Sequence, residues 1–363
     1  MINPEIKRNK VSAIQFASWS LLAFLLMHGF QPAWSQEASS EYTRPWESRP
    51  YQVQVWICNE ATPQLTAVIP QVSIDLMRRA EITDASAWKV QVQTAPAIWK
   101  NRLLNSIQST DELLDLTTVE EINKYDKLIV IGLTQAEGFI RYQVREYDIQ
   151  TGQWGALIAR SCPQPKGLSF QLFAAIERVF MPLAKIDRVS SEGEVFVRAR
   201  AINACQEGDI TDGGVTAIEN SPVWIRPQDR FLPIIRKVDR NGDLTELEPI
   251  PFTYLTIDSP QKGSRLVCEL HSRQRSVLGG RSSKRAQKLA LVIRPPETPT
   301  SLNLVSRSDK SKALSGYEIY SRKPGASKDE PSEFLGLTDW RGSIEVPPTE
   351  DGLRLIYVKR GTR

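Results

Sequence analysis

Apolar and polar positions follow two periods along residues 51–183. The stretch Q-V-Q-V-W-I-C after Tyr51 alternates with the two-residue period of a β-strand, and W-K-V-Q-V-Q-T from Trp88 does the same. Between these stretches, apolar residues recur at three- and four-residue steps, which predicts one face of a helix: Leu65, Val68, Ile69, Val72 and Leu76. Residues 97–107 and 111–125 also predict helices.

Three more strands and a last helix complete this region. K-L-I-V-I-G-L from Lys127 is nearly all apolar, which predicts a strand buried on both faces. F-I-R-Y-Q-V-R-E-Y-D-I from Phe139 alternates, and Thr151-Gly152 predicts a turn into the next strand. Apolar residues at helical spacing between positions 168 and 183 predict the final helix. The order β-α-β-α-β-β-β-α predicts an α+β layer domain.

The pattern changes after Pro182. Short β-like runs are separated by Gly- and Asp-rich turns with no helix between them, which predicts a small β-barrel over residues 184–294. The Pro-rich stretch 295–300 reads as a stiff linker, and four strands over 301–363 predict a β-sandwich. The predicted fold class is therefore α+β and multidomain: an N-terminal α/β-layer domain, a small barrel and a C-terminal sandwich.

The amino terminus is typical of an export signal. A basic start is followed by an apolar run over residues 11–30 and by the small residues Ala33 and Ser35 of an A-x-S cleavage site. We expect a signal peptide over 1–35, a polar linker over 36–50, and a protein of the periplasm or cell surface. The alternative is an uncleaved helix that anchors the chain, because the apolar run is just long enough to span a bilayer.

Composition and charge limit the classes of function that the chain can have. The chain is 41% hydrophobic and 24% charged, which is ordinary for a globular protein. After signal removal it would keep 43 of its 46 basic and 41 of its 42 acidic residues, so the net charge gives no case for nucleic acid. No later segment is an unbroken apolar run long enough for a transmembrane helix, so none is expected after signal cleavage.

Four cysteines stand far apart, at Cys58, Cys162, Cys205 and Cys268. Their spacing excludes a C-x-x-C metal or redox motif, whereas an oxidising compartment permits disulfides. Cys58 and Cys162 both end strands of one predicted sheet, so they are the candidate disulfide. The alternative is that all four are buried thiols.

Candidate catalytic and metal-binding residues are few. His271 is the only histidine outside the signal, so two-histidine metal sites cannot form within one chain, and a structural role is expected. The run 239–243, D-R-N-G-D, begins like an EF-hand loop, but Leu244 and Ile250 stand where that loop requires Gly and Glu. Asn241-Gly242 predicts a hairpin instead. Glu207, Asp209 and Asp212 would be the acids of an alternative carboxylate-dependent hydrolase. No metal, cofactor or catalytic residue is predicted.

Two surface features are candidate binding sites. Residues 262–294 carry nine basic residues against one acid, with Arg281 and Arg285 near the centre, and would suit an anionic polymer or lipid headgroups. In T-D-W-R-G, Asp339 and Gly342 have the positions that a type I turn favours, at the tip of a hairpin. That turn would expose Trp340 and Arg341, the residue types that dominate binding hot spots.

Three parts of the chain resemble known families. Residues 51–183 resemble the amino-terminal domain of TolB and the middle domain of the flagellar protein FlgT, through the opening strand and helix, K-L-I-V-I-G-L-T and the hairpin V-R-E-Y-D-I-Q-T-G. V-W-I-R-P-Q-D-R-F with I-I-R-K-V looks like the SH3-like barrels that follow such domains. Y-E-I-Y-S-R with L-G-L-T-D-W-R-G-S-I-E-V-P-P is similar to PEGA and carboxypeptidase-regulatory-like sandwiches. The resemblance implies a non-enzymatic envelope protein that binds or scaffolds other envelope proteins.

Overall fold

The α+β region is built on one six-stranded sheet in this computed structural model. Its strands are β1 (Tyr51–Asn59), β2 (Trp88–Thr94), β3 (Lys127–Ala136), β4 (Phe139–Asp148), β5 (Gln153–Trp154) and β6 (Ile158–Cys162). β1 pairs in parallel with β2 and β3. β4 runs antiparallel to β3 and pairs on its other side with β5 and β6. The predicted turn at Thr151-Gly152 is confirmed, and Gly152 has the positive φ of 64° that such a turn favours.

Three helices cover the two faces of this sheet: α1 (Pro63–Asp84), α2 (Ala97–Ser106) and α3 (Leu168–Val179). The apolar stripes of α1 and α3 pack on one face, and α2 packs on the other. β1 and β3 are therefore buried on both faces, as predicted for K-L-I-V-I-G-L. The helix predicted over 111–125 is wrong in its described end, where Glu120–Ile122 form only a 3₁₀ turn.

The structure describes residues 45–84, 87–107, 114, 116–117, 119–136, 138–190, 193–201, 221–241, 244–259, 265–272, 278, 285–295, 299–323, 326–327, 330–349 and 354–360. The predicted signal and most of the predicted linker lie outside these ranges. The end of that linker belongs to the fold, because Trp46 donates its indole N–H to the Arg198 carbonyl at 3.1 Å and Pro50 is buried. Within the described ranges, no helix combines the length and apolar composition that a membrane crossing needs.

A closed barrel follows the α+β region. Its strands are β7 (Leu183–Val189), β8 (Glu194–Ala199), β9 (Arg230–Val238), β10 (Leu244–Pro249), β11 (Thr253–Ser259), β12 (Arg265–Ser272) and β13 (Ala286–Ile293). The pairing order β9-β11-β12-β8-β7-β13 returns to β9 and closes a ring of six strands, with β10 added beside β9. The predicted barrel is therefore confirmed. β9 and β10 pair as the predicted hairpin around Asn241.

Two small sheets form the C-terminal region. β14 (Thr300–Asn303) pairs with β17 (Ser343–Val346). The second sheet has β15 (Tyr317–Arg322) at its centre, between β16 (Glu333–Leu337) and β18 (Leu355–Arg360). Since β16 and β17 belong to different sheets, the turn between them is not the tip of a hairpin, which corrects that prediction. Local turn chemistry specifies the bend but not the sheet that each flanking strand joins.

The predicted Cys58–Cys162 disulfide is absent, and Cys58, Cys162 and Cys268 are buried free thiols among the described residues. β3 and β4 lie between β1 and β6, which separates the two cysteines by at least about 14 Å. A disulfide requires Cα atoms about 4.4–6.8 Å apart. Their side chains also pack on opposite faces of the sheet. Ending strands of the same sheet is therefore not enough to bring two cysteines together.

Candidate functional site

A buried cluster of charges lies on the inner side of β3 and β4. The Lys127 ammonium is 2.7 Å from Glu146 Oε1 and 2.5 Å from Asp148 Oδ2, and all three side chains are fully buried. Lys127 also donates to the Met181 carbonyl, and the Met181 amide donates to Glu146 Oε2 at 2.7 Å. Strand alternation could have indicated this cluster, because Glu146 and Asp148 continue the buried face of Val144.

Burial governs the electrostatics of this cluster. It raises the pKa of Glu146 to about 7, against the lowering effect of Lys127. Burial alone would lower the pKa of Lys127, but Asp148 and Glu146 together outweigh it and raise that pKa. Burial likewise raises the pKa of Tyr51 to about 12. Because no side chain of the cluster reaches solvent, its two carboxylates cannot meet a substrate as the acids of a hydrolase would.

Further polar contacts tie the barrel to the α+β sheet. Arg200, just after β8, donates to both carboxylate oxygens of Asp126 at 2.7 and 2.5 Å and to the Pro50 carbonyl at 3.0 Å. The Tyr51 hydroxyl accepts from the Leu183 amide at 2.8 Å. The apolar core of the α+β region also includes barrel residues of β9 and β13. The two regions therefore share one interior.

The Trp340–Arg341 candidate lies on an exposed turn. The Gly342 amide donates to the Asp339 carbonyl at 2.9 Å and the Arg341 amide to Asp339 Oδ1 at 2.8 Å, which confirms the predicted turn. Trp340 is 74% exposed, and the Arg341 guanidinium lies 4.4 Å from the centre of its ring. These two residues form a solvent-facing pair, as their positions in the turn predicted.

The basic segment 262–294 is described only in part, and Arg281 lies outside the described residues. Arg285 is exposed next to the start of β13, and its carbonyl accepts from the Val238 amide at 2.9 Å. Arg294 is partly buried and pairs with Asp229 at 2.7 Å. At least this one of the nine basic residues is therefore neutralised by an acid.

The other candidate residues from the sequence either make structural contacts or lie outside the described residues. His271 stacks on Tyr254 with ring centres 4.6 Å apart, and its Nε2 lies 2.9 Å from the Thr256 hydroxyl. Glu207, Asp209 and Asp212 are not among the described residues. Within the ranges that are described, no three His, Cys, Asp or Glu side chains are grouped as a metal site would require.

The outer side of the β16-β15-β18 sheet carries a row of rings, here called the aromatic face: Phe334, Tyr320 and Tyr357. Strand register places Tyr320 opposite both other residues, one on each neighbouring strand. The Phe334 and Tyr320 rings are 5.2 Å apart, and Phe334 is 54% exposed. Lys359 lies 4.2 Å over Tyr320, and Arg322 lies over Tyr357. Sequence alternation could not identify this face, because both sides of these strands contain apolar residues.

A second feature that the sequence did not predict is a groove between β6 and α3, here called the strand–helix groove. It has a volume of about 390 Å³. Tyr142, Ile158, Ala174 and Ala175 make it partly apolar. Arg160, from β6, and Arg178, from α3, also line it, so it combines apolar surface with two cations. Ala174 and Ala175 leave this space open because their side chains are small.

Comparisons with known proteins give weak structural likenesses. No protein-family model matches the chain, and no curated protein matches it. The chain is similar to the lipoprotein GNA1162 from Neisseria meningitidis, at 16% identity and a TM-score of 0.22 over 35% of this chain and 94% of that one. It is similar to the hypothetical protein CT253 from Chlamydia trachomatis, at 15% identity and a TM-score of 0.23 over 35% of this chain and 93% of that one. Over 81% of its length it has weak similarity to TolB from Acinetobacter baumannii, at 9% identity and a TM-score of 0.25 over 84% of that chain.

Proposed function

We propose that this protein is an exported, non-enzymatic component of the cell envelope that binds other proteins through its C-terminal sheets. The observation that carries the proposal is the aromatic face. In a sheet with one face in water, polar residues normally occupy the outer side. Here Phe334 and Tyr357 are 54% and 42% exposed, and Leu355 beside them is 37% exposed.

The composition of this face suits recognition by a protein. Tyrosine and arginine are enriched in binding hot spots, and apolar patches rimmed by polar groups mark contact surfaces. Lys359 and Arg322 pack on the rings, so cationic groups border the apolar area. The exposed Trp340 and Arg341 add a second group of the same residue types to the same region.

The rest of the molecule supports a scaffolding role. The α+β region and the barrel share one core, which encloses the buried Lys127 cluster. Glu146 and Asp148, the two acids that share Lys127, are sealed from solvent, which favours binding over hydrolysis at this cluster. The export signal predicted over residues 1–35 is the reason for proposing a location in the cell envelope.

Affinity purification from an envelope fraction tests the proposal. The wild type is compared with a Phe334→Ser/Tyr357→Ser variant, and captured proteins are quantified by mass spectrometry. We expect the variant to lose proteins that the wild type captures reproducibly. The matched control is Ile74→Ser/Ile82→Ser, which changes two exposed apolar residues of α1 and should lose none of them. If the wild type and both variants capture the same proteins, the aromatic face is not the binding surface.

A further inference from the structure

β18 is a regular, exposed edge of its sheet. It pairs with β15 alone among the described strands, and that pairing runs over six residues without a register shift. The opposite edge, β16, has a β-bulge against β15 and a positive φ of 143° at Gly336. Bulges and prolines are among the features by which proteins prevent an edge strand from pairing further. β18 contains neither, so its backbone can accept another strand.

Apolar side chains of β18 are exposed on both faces of the sheet. On the side opposite the aromatic face, Ile319 of β15 is fully buried, but Val358, which lies opposite it in the register, is 44% exposed. Ile356 is on the same side and is 37% exposed. Tyr357, on the aromatic face, is 42% exposed. A strand added at this edge would cover both sets of side chains, whereas a ligand on one face would cover only one set.

A second copy of the chain supplies such a strand. Two identical strands pair antiparallel about a two-fold axis perpendicular to the sheet, which keeps the same face of each copy on the same side. The pairing is then centred on a residue that lies opposite itself, because residues that face each other across two strands share a face. Centred on Val358, it brings the two Val358 side chains together. Lys359 of each copy then lies opposite Tyr357 of the other, and Arg360 lies opposite Ile356.

The charges of β18 are compatible with this pairing. The strand ends with Lys359 and Arg360 and contains no acid. Like charges directly opposite each other destabilise a sheet, and a pairing centred on Lys359 would bring two lysines together. Centred on Val358, each cation instead faces an aromatic or aliphatic side chain. Lys359 already lies 4.2 Å over the Tyr320 ring, and the second copy adds Tyr357 as another ring beside it.

We propose that β18 pairs with β18 of a second copy, antiparallel and centred on Val358. The two three-stranded sheets then form one six-stranded sheet, with both aromatic faces on the same side of it. This inference goes beyond the binding of other proteins and does not depend on it, because it rests on the strand edge and on the symmetry of the pairing.

Cysteine cross-linking tests the register. The variants carry Cys205→Ser, which leaves three buried cysteines of the wild type: Cys58, Cys162 and Cys268. Val358→Cys should form a covalent dimer on mild oxidation, because the two Cα atoms would be about 4.5–5.5 Å apart, within the range of a disulfide. Ile356→Cys, on the same face, is the matched control and should not cross-link, because its two copies would lie about 14 Å apart along the strands. Equal cross-linking of the two variants, or none in either, overturns the proposal.

Sedimentation velocity on the purified protein measures the dimer itself. The wild type should dimerise reversibly with a Kd of about 100 µM or tighter, since one strand pair makes a small interface. Val358→Lys would place two lysines opposite each other and should weaken dimerisation about tenfold. Leu337→Lys makes a similar change on β16, where Leu337 is 57% exposed, and should leave the Kd unchanged.

A wild type that stays monomeric at about 1 mM, or equal weakening by the two lysines, also overturns the proposal. No other protein is present in these measurements. Their failure is therefore distinguishable from failure of the aromatic face, which is tested by capture of proteins from the envelope fraction.

Discussion

Two strands with similar apolar runs meet opposite environments. β3 begins K-L-I-V-I-G-L, and all of these residues are buried. β18 reads L-I-Y-V-K-R, and all six residues are exposed. β3 has a strand on each side and helical layers on both faces, whereas β18 pairs with β15 alone among the described strands. An apolar run therefore indicates a strand, but the neighbouring layers decide whether it is buried in the core or exposed on the surface.

This contrast extends to the two regions that contain the strands. In the shared interior of the α+β region and barrel, even charged residues such as Lys127 are fully enclosed. In the C-terminal sheets, Ile319 is the one described hydrophobic residue that is fully buried. The first region uses its apolar residues for stability, and the second leaves them on the surface, where we propose that they bind other proteins. The following substitutions test this division, from the largest expected effect to the smallest.

Removing the buried cation should cause the largest loss of stability. Lys127→Met leaves Glu146 and Asp148 without their partner, and breaking a buried pair in this way costs about 3–5 kcal/mol. Urea unfolding followed by tryptophan fluorescence would measure the loss. The control is Lys359→Met, an exposed lysine over Tyr320, which should cost no more than about 1 kcal/mol. Equal losses at the two lysines would contradict the division between the regions.

The stability of the wild type should fall as pH rises through the range set by Glu146. Burial raises the pKa of Glu146 from 4.5 to about 7, so in this interval the folded state holds a proton that the unfolded state has lost. Its contribution is present below pH 4.5 and is lost as pH rises to 7, a change of about 3 kcal/mol in the free energy of unfolding.

Unfolding measured across this interval in Glu146→Gln should lack that slope. The variant should also be less stable overall. Its amide nitrogen would face either the Lys127 ammonium or the Met181 amide, both of which donate hydrogen bonds to Glu146 in the wild type. Glu345→Gln, at an exposed acid of β17, should keep the wild-type slope. If the free energy of unfolding of Glu146→Gln still falls between pH 4.5 and 7, another titrating group causes the pH dependence.

The turn between the C-terminal sheets should respond strongly to one methyl group. A Cβ at Gly342 would lie 2.5 Å from the Leu304 carbonyl oxygen, and φ there is +74°. Gly342→Ala should cost about 2 kcal/mol or more through overlap and backbone strain. Gly316→Ala has the same φ but open space around it, so it should cost only about 1 kcal/mol. Hydrogen exchange in β14 and β17 would measure both, and equal effects would refute the steric argument.

The smallest stability effect is expected on the aromatic face. Phe334→Ser should lower the free energy of unfolding by only about 0.5–1 kcal/mol, the value of its ring contact with Tyr320. The same change at Phe231, a fully buried residue of the barrel, should cost several times more. Thermal unfolding of both variants would compare the two losses of stability. A loss in Phe334→Ser as large as that in Phe231→Ser would mean that Phe334 belongs to the core.

Local chemistry explains which predictions succeeded. Thr151-Gly152, Asn241 and Asp339 to Gly342 were identifiable because each turn depends on hydrogen bonds and dihedrals within four or five residues. The buried strand at Lys127 was identifiable because apolar side chains continue without a break. The Cys58–Cys162 disulfide and the hairpin at Asp339 failed because each depended on which strands become neighbours, and local pattern carries no such information.

The sequence alone determined the periods of the strands and helices, the positions of the turns, and a chain with two histidines and four widely spaced cysteines. Tertiary structure decided that the barrel closes through β9 and β13, that Lys127 meets two acids in one interior, and that the rings of β15, β16 and β18 stay exposed. The physical reason is the distance along the chain over which each interaction acts. Periodicity and turn geometry arise from adjacent residues, whereas burial and pairing depend on segments far apart in the chain.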